Sequence, residues 1–145
     1  MGFDVLAWPF VVAVAAHNLE EAIWLPAWSH KAGKWHRAVT TSKFRFAVVV
    51  LTALAAGAAW LATAFAMLLN VVFPHLLASV ATWRHMPGTL TALVLNLPVT
   101  TALLRATVRE NYVDMQRFLF VGPVGVIGIV AMIPLLFWLG RKSSP

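Results

Sequence analysis

The sequence predicts an all-α membrane protein, a polytopic helix bundle with about five transmembrane helices in one domain, residues 1–145. The first observation is composition: 61% of the residues are apolar, 11% are charged and the mean hydropathy is +0.81. A soluble domain carries about 25% charged residues, because its surface must be hydrated. The second is that apolar runs long enough to span a bilayer alternate with basic segments. Cysteine is absent, which excludes disulfides and thiolate metal sites.

The apolar runs predict the spans, because a helix needs roughly 20 such residues to cross the hydrocarbon core. Residues 46–83 contain no Asp, Glu, Lys or Arg. As a single helix this run would be about 57 Å long, twice the thickness of the core, so it is predicted to be a hairpin. The hairpin is expected to turn near Trp60 to Phe65, and the first span is expected to stop at Pro26. The predicted spans are approximately 5–24, 46–63, 66–83, 88–104 and 118–139.

The basic residues predict the orientation of the bundle. Five spans place the first and third loops and the C-terminus on one side, and that side carries Lys31, Lys34, Arg37, Lys43, Arg45, Arg84, Arg141 and Lys142. The opposite side carries only Arg105, Arg109 and Arg117. An excess of Lys and Arg marks the cytoplasmic face, so the N-terminus is predicted outside and the C-terminus in the cytoplasm. This placement predicts the lipid bilayer as the partner of the basic residues and argues against nucleic acid.

Ionisable residues inside the spans mark the candidate site. Such residues cost about 2.5–3.5 kcal/mol at the centre of a transmembrane helix, so they point to function. The first span carries His17 with Glu20 and Glu21, whose offsets of three and four residues place them on the face of His17. Counting along the spans places His75 and Asn96 near the depth of His17, about 11 Å from the cytoplasmic boundary. The sequence therefore predicts one polar chamber between the first, third and fourth spans.

Other polar and turn residues follow the segment His17-Asn18-Leu19-Glu20-Glu21 in a definite order along most of the chain: Pro26, Trp28, Asn70, Pro74, His75, Arg84, Pro87, Gly88 and Thr91. In this order they resemble the HXXEE family of small bacterial integral membrane proteins. One departure is His85, where an aromatic residue such as Tyr is expected shortly before the Pro-Gly pair. The resemblance implies membership, the motif and a bacterial inner-membrane location. It implies no reaction, because the family has no established activity.

The residue types of the chamber predict a divalent metal site, Fe or Zn, because two imidazoles with carboxylates match non-haem iron and catalytic zinc. The predicted ligands are His17, His75 and a carboxylate of Glu20 or Glu21. The other glutamate is predicted to act as general base or as a hydrogen-bonding partner behind a ligand, and Asn96 to orient water or substrate. The substrate of such an enzyme would be lipid-soluble and would enter between helices.

The residues leave three other hypotheses open, so whether the protein is an enzyme at all stays undecided at this point. A metal-free isomerase or hydrolase of a lipid or isoprenoid would use Glu and His as acid and base. A proton relay or transporter would use the same groups to pass protons. Finally, the polar side chains could simply hold helices together, within one chain or in a homo-oligomer. Gly122, Gly125 and Gly128 add a candidate close helix contact for either case.

Overall fold

The structure is a computed structural model that describes residues 1–33, 38–57 and 60–142. These residues form five helices and no strand, which confirms the predicted all-α class. The helices are α1 (Phe3–Ser29), α2 (Thr41–Ala56), α3 (Trp60–Asn70, Val71–Leu76 and Leu77–Thr82), α4 (Thr89–Thr91, Ala92–Asn96 and Leu97–Arg109) and α5 (Met115–Lys142). In the middle segments of α3 and α4 the backbone forms wider, π-type turns.

The five helices close into a ring. Helix α1 contacts α2 and α4, α5 contacts α2 and α3, and contacts between α3 and α4 complete the circle. At one end the N-terminus meets the α4–α5 loop, where the Phe3 backbone N–H donates to Glu110 at 3.0 Å. This bond and the neighbouring Arg109 guanidinium hold the pKa of Glu110 below its usual range. The other end carries the α1–α2 and α3–α4 connections, so consecutive helices run antiparallel.

Three of the helices are long and apolar enough to cross a membrane: Ala64–Thr82, Thr89–Arg109 and Phe118–Leu139. Large apolar side chains also cover the outside of the bundle; Phe120, for example, is 78% exposed. A soluble monomer rarely exposes a continuous apolar surface of this kind. Together these features indicate a membrane protein. The other two helices do not meet the same requirements of length and composition. Polar residues interrupt α1, and helix α2 has only 16 residues.

Two helix ends differ from the positions that the sequence suggested. Helix α1 continues past Pro26 to Ser29, whose hydroxyl donates to the Pro26 carbonyl at 2.8 Å. A proline removes a single backbone donor, and membrane helices tolerate that loss where other groups satisfy the freed backbone. Helix α2 ends at Ala56 and the chain turns at Gly57, ahead of the predicted turn at residues 60–65. No proline or charge marks this turn, and only the weak helix propensity of glycine distinguishes it.

A polar layer on α1 separates two apolar clusters in the interior. One cluster consists of Phe3, Leu6, Phe10, Val14, Ala55, Ala64, Leu103 and Ala106. The other consists of Ala22, Leu25, Phe44, Val48, Ala78 and Met86. The segment from His17 to Glu21 lies between Val14 and Ala22, so tight packing on both sides fixes its position along the bundle.

One glycine of α5, Gly122, allows a close contact between helices. A Cβ on Gly122 would lie 2.9 Å from Cε2 of Phe65, so this glycine allows α5 to approach α3 closely. A Cβ on Gly128 would meet no atom within 4 Å. The predicted close contact is therefore present within the bundle at Gly122 and is not made there by Gly128.

Candidate functional site

The two histidines predicted to lie inside the spans and one of the adjacent glutamates meet in the centre of the polar layer. The rings of His17 and His75 are fully buried and pack edge to face, with centroids 4.8 Å apart. Glu21 Oε1 lies 3.2 Å from His75 Nε2 and 3.8 Å from His17 Nε2. The three residues each offer one ligand atom, and these atoms all lie within 4.8 Å of one another. They form the one group in the described residues whose geometry fits a bound metal ion.

Asn70, which precedes His75 by five residues in α3, joins this group. Its Nδ2 lies 3.0 Å from His17 Nε2 and 3.1 Å from His75 Nε2. In a regular helix two residues five apart point about 140° away from each other, so counting along α3 separates Asn70 from His75. The backbone at Phe73 is extended instead, with φ −128° and ψ 121°, and this break turns both side chains towards one point. In the sequence, Pro74 indicates that the helix is interrupted, but it does not indicate the direction in which the side chains then point.

Glu20 faces a different set of partners, at the start of α4. Its Oε1 accepts the Gly88 backbone N–H at 2.8 Å, and its Oε2 accepts the Thr91 N–H at 3.1 Å and the Thr91 hydroxyl at 2.6 Å. The first N–H groups of a helix need acceptors, and Gly88, which precedes α4, has no side chain to supply one. Glu20 therefore caps α4 from α1. The structure brings Glu21, and not Glu20, to the histidines.

Gly88 closes the site from the side of the α3–α4 loop. A Cβ on this residue would lie 2.5 Å from Cε1 of His75, 2.9 Å from Cε1 of His17 and 3.0 Å from Cγ of Glu21. Its φ of +91° is also a conformation that glycine adopts readily and other residues do not. Met86 to Thr89 are all buried. This part of the α3–α4 loop therefore lies inside the bundle, and α4 begins beside the histidines.

This starting point explains where Asn96 lies. The prediction put Asn96 level with the histidines by assuming that α4 starts at the membrane boundary. In the structure Asn96 is buried and its Nδ2 lies 3.7 Å from Sδ of Met67, which precedes Asn70 by about one helical turn. Its Oδ1 has no hydrogen-bond partner among the described residues. Asn96 thus occupies the next level of the bundle, away from the histidines.

The remaining residues of the motif point in other directions. Asn18 donates to the Thr52 hydroxyl at 2.7 Å and so ties α1 to α2. Leu19 is 61% exposed and faces outwards. His85, the departure from the expected pattern, lies with Nε2 3.5 Å from Oε1 of Glu20. Only two of the motif's five residues, His17 and Glu21, therefore enter the cluster.

An open groove of about 730 Å³ runs along the outer face of α1 and α4. Its walls are mostly apolar, and Glu20, Thr91 and His85 give it one polar corner. Thr91 also lies 3.1 Å from Nδ1 of His17, so the polar corner of the groove directly adjoins the buried cluster. The apolar walls are formed mainly by Leu19, Ile23, Trp24, Trp28 and Leu90.

Comparison with known proteins gives two matches. The sequence profile of a family described as "Protein of unknown function with HXXEE motif" matches residues 8–103. The uncharacterized protein YrkK of Bacillus subtilis (strain 168) is 38% identical over 94% of this chain and 96% of its own length. No solved structure matches. The matched range includes His17, Glu20, Glu21, Asn70, His75, Gly88 and Thr91.

Proposed function

The chain belongs to the HXXEE-motif family of unknown function, and we propose that it is a metal-dependent membrane enzyme acting on a lipid-soluble substrate. The proposed ligands of its divalent ion are His17 Nε2, His75 Nε2 and a carboxylate oxygen of Glu21. The sequence alone allows either Glu20 or Glu21 as the carboxylate ligand, and this assignment selects Glu21. It is supported by the contacts of Glu20, whose two oxygens already accept hydrogen bonds at the start of α4.

The spacing of the side-chain atoms carries the proposal. A tetrahedral ion with ligands at about 2.0–2.1 Å holds its ligand atoms roughly 3.3–3.4 Å apart. Around His75 Nε2 the distances are 3.2 Å to Glu21 and 3.1 Å to Asn70, and around His17 Nε2 they are 3.8 Å and 3.0 Å. Small side-chain shifts would thus place His17, His75 and Glu21 around one ion, with the Asn70 amide beside them.

The ligand set favours zinc or ferrous iron. Two imidazoles and one carboxylate are the protein ligands of several catalytic zinc sites and of many non-haem iron sites. The ion would supply a Lewis acid that polarises a substrate carbonyl or phosphoryl oxygen. Asn70 would then take the role predicted for Asn96, because its amide lies beside both ligand nitrogens and can orient a substrate or water.

The groove along α1 and α4 is the evidence that the substrate has a long apolar part. Its apolar walls open sideways on the bundle, where an acyl or prenyl chain can enter directly from lipid. The polar corner at Glu20 and Thr91 would hold the head of such a molecule next to the cluster. A water-soluble substrate fits these walls poorly, because their side chains offer it few hydrogen-bonding groups.

Metal analysis of the purified protein tests the proposal. We expect protein prepared without chelator to contain about one zinc or iron ion per chain. Chelation should remove the ion, and titration with the same metal should restore it. His17→Ala and His75→Ala should reduce metal to background, whereas His30→Ala, at an exposed position just after α1, should not. Circular dichroism shows whether each variant has folded. A folded wild type that neither contains nor takes up metal would overturn the proposal.

One observation favours a metal-free acid–base enzyme as the second candidate. The Asn70 amide already lies within hydrogen-bonding distance of both imidazoles, and Glu21 pairs with His75, so the cluster is connected without an ion. This enzyme would turn over a lipid or isoprenoid in the presence of chelator. If the cluster were only a polar contact between helices, the alanine variants would lower the Tm and alter nothing else.

We further infer five spans, with the N-terminus outside and the C-terminus in the cytoplasm of a bacterial cell. The closed ring supports five, because α1 and α2 pack side by side with the three long apolar helices. Helix α1 has 27 residues and is about 40 Å long, while α2, with 16, is about 24 Å and requires local thinning of the bilayer. A C-terminal green fluorescent protein should fluoresce and alkaline phosphatase at the same site should be inactive. Active phosphatase there would reverse the orientation.

A further inference from the structure

The hydroxyl of Thr91 lies between Glu20 and His17. It donates to Oε2 of Glu20 at 2.6 Å, and its oxygen is 3.1 Å from Nδ1 of His17. The Gly88 carbonyl, at 3.2 Å, is a second acceptor for the same hydroxyl. A hydroxyl has one proton to donate, and a carboxylate or carbonyl oxygen can only accept it. With its proton directed to those acceptors, the hydroxyl can only accept from His17.

This arrangement determines which nitrogen of His17 carries the proton. For Nδ1 to bond the Thr91 oxygen, Nδ1 must be protonated, which leaves the lone pair of the neutral ring on Nε2. Nε2 is the atom that faces Asn70 and Glu21. His75 lacks this support, because its buried Nδ1 has no hydrogen-bond partner within the described part of the chain. The two histidines of the cluster are thus held unequally.

We propose that Glu20 is a positioning residue that acts through Thr91 to hold His17 in the tautomer whose Nε2 can bind a metal. The functional role of this tautomer, to bind a metal through Nε2, rests on the proposed metal site. The preference for the tautomer does not, because the hydrogen bonds that produce it are present without an ion. The two glutamates of the motif would then serve one imidazole differently: Glu21 as its partner at the metal and Glu20 as the group behind it. Ligand histidines in metal sites commonly use their second nitrogen in this way.

The nitrogen spectrum of chelator-treated protein labelled with ¹⁵N-histidine tests this directly. In a neutral imidazole the two ring nitrogens give separate signals according to which one is protonated, so the spectrum is recorded at mildly alkaline pH. The signal that disappears in His17→Asn identifies His17. We expect the wild type to be protonated at Nδ1. Thr91→Val, which has the same shape without the hydroxyl, should weaken this preference and leave only what the Asn70 amide beside Nε2 contributes, and Thr91→Ser should retain it in full.

A matched control removes a different buried hydroxyl from the same region. Thr52 bonds Asn18 and the Val48 carbonyl, so Thr52→Val should leave the His17 tautomer unchanged. In the metal-loaded state Thr91→Val should weaken metal binding about 10- to 100-fold, the usual cost of losing a partner behind a ligand. Thr91→Ser should bind as the wild type does.

The outcomes separate this proposal from the metal site itself. A wild-type His17 protonated at Nε2, or a tautomer that does not change in Thr91→Val, would overturn the positioning role even if metal binds. A tautomer that follows Thr91 in a protein that takes up no metal would leave the positioning role in place and refute the proposed metal function.

Discussion

We expect the Gly88→Ala variant to lose both the metal site and much of its stability. The added Cβ would lie within 3.0 Å of atoms of His75, His17 and Glu21, all three of the proposed ligands. Alanine is also strained at the Gly88 φ of +91°, at a cost of about 1–3 kcal/mol, and overpacking a filled interior costs about as much again. We therefore expect the Tm to fall by about 10 °C. Because the ligands must move apart, metal affinity should fall by about 100-fold or more.

A second glycine in this chain separates backbone strain from the overlap at the site. Gly33 also has a positive φ, +59°, but a Cβ there would meet no atom within 4 Å. Gly33→Ala should therefore cost some stability and leave the metal affinity unchanged. Thermal unfolding and metal titration in the same detergent or nanodisc compare the two variants. A Gly88→Ala protein that binds metal as well as Gly33→Ala does would contradict the placement of the loop beside the histidines.

The sequence predicts the histidine cluster well because helical spacing and depth are simple to count. His17 and Glu21 are four residues apart in an unbroken stretch of α1, so a regular helix brings them to one face. His75 lies in a span that runs back beside α1, and its distance from the basic loop can be counted in the same way. Membrane helices keep these rules because nearly every backbone group must be satisfied within the helix.

The parts of the site that the sequence does not predict all depend on departures from regular helix. Asn70 reaches the histidines through the break at Phe73, and Asn96 lies a level away because α4 starts inside the bundle. The sequence also does not predict that Glu20 and Glu21 have different surroundings, and the reason is a different one. Both are near enough to the face of His17 to qualify, and only the position of Gly88 and Thr91 shows which one caps a helix. The one signal in the sequence was the Pro87-Gly88 pair, which precedes α4 and offers no side chain to cap that helix.

The two glutamates should respond differently to the same isosteric change, and the larger effect on metal should come from Glu21→Gln. Structural zinc sites bind with about 10–16 kcal/mol in total, so one of three or four ligands supplies roughly 3–5 kcal/mol, or about 10²–10⁴-fold in affinity. Glu21 makes its close contacts to the histidines and is partly exposed, so the metal-free protein should unfold near the wild-type Tm. Titration with zinc or ferrous iron, followed by unfolding of the metal-free form, measures both quantities.

Glu20→Gln should give the opposite balance. Its carboxylate accepts three hydrogen bonds at the start of α4, and a carboxamide presents an NH₂ group where a second acceptor is needed. Breaking charge-assisted bonds of this kind costs about 1.5–3 kcal/mol, so the metal-free Tm should fall by about 5–10 °C. Metal affinity should decrease less than in Glu21→Gln, since Glu20 acts on His17 only through Thr91. If Glu20→Gln lost all metal while Glu21→Gln kept a full complement, the two roles would have to be exchanged, with Glu20 as the ligand.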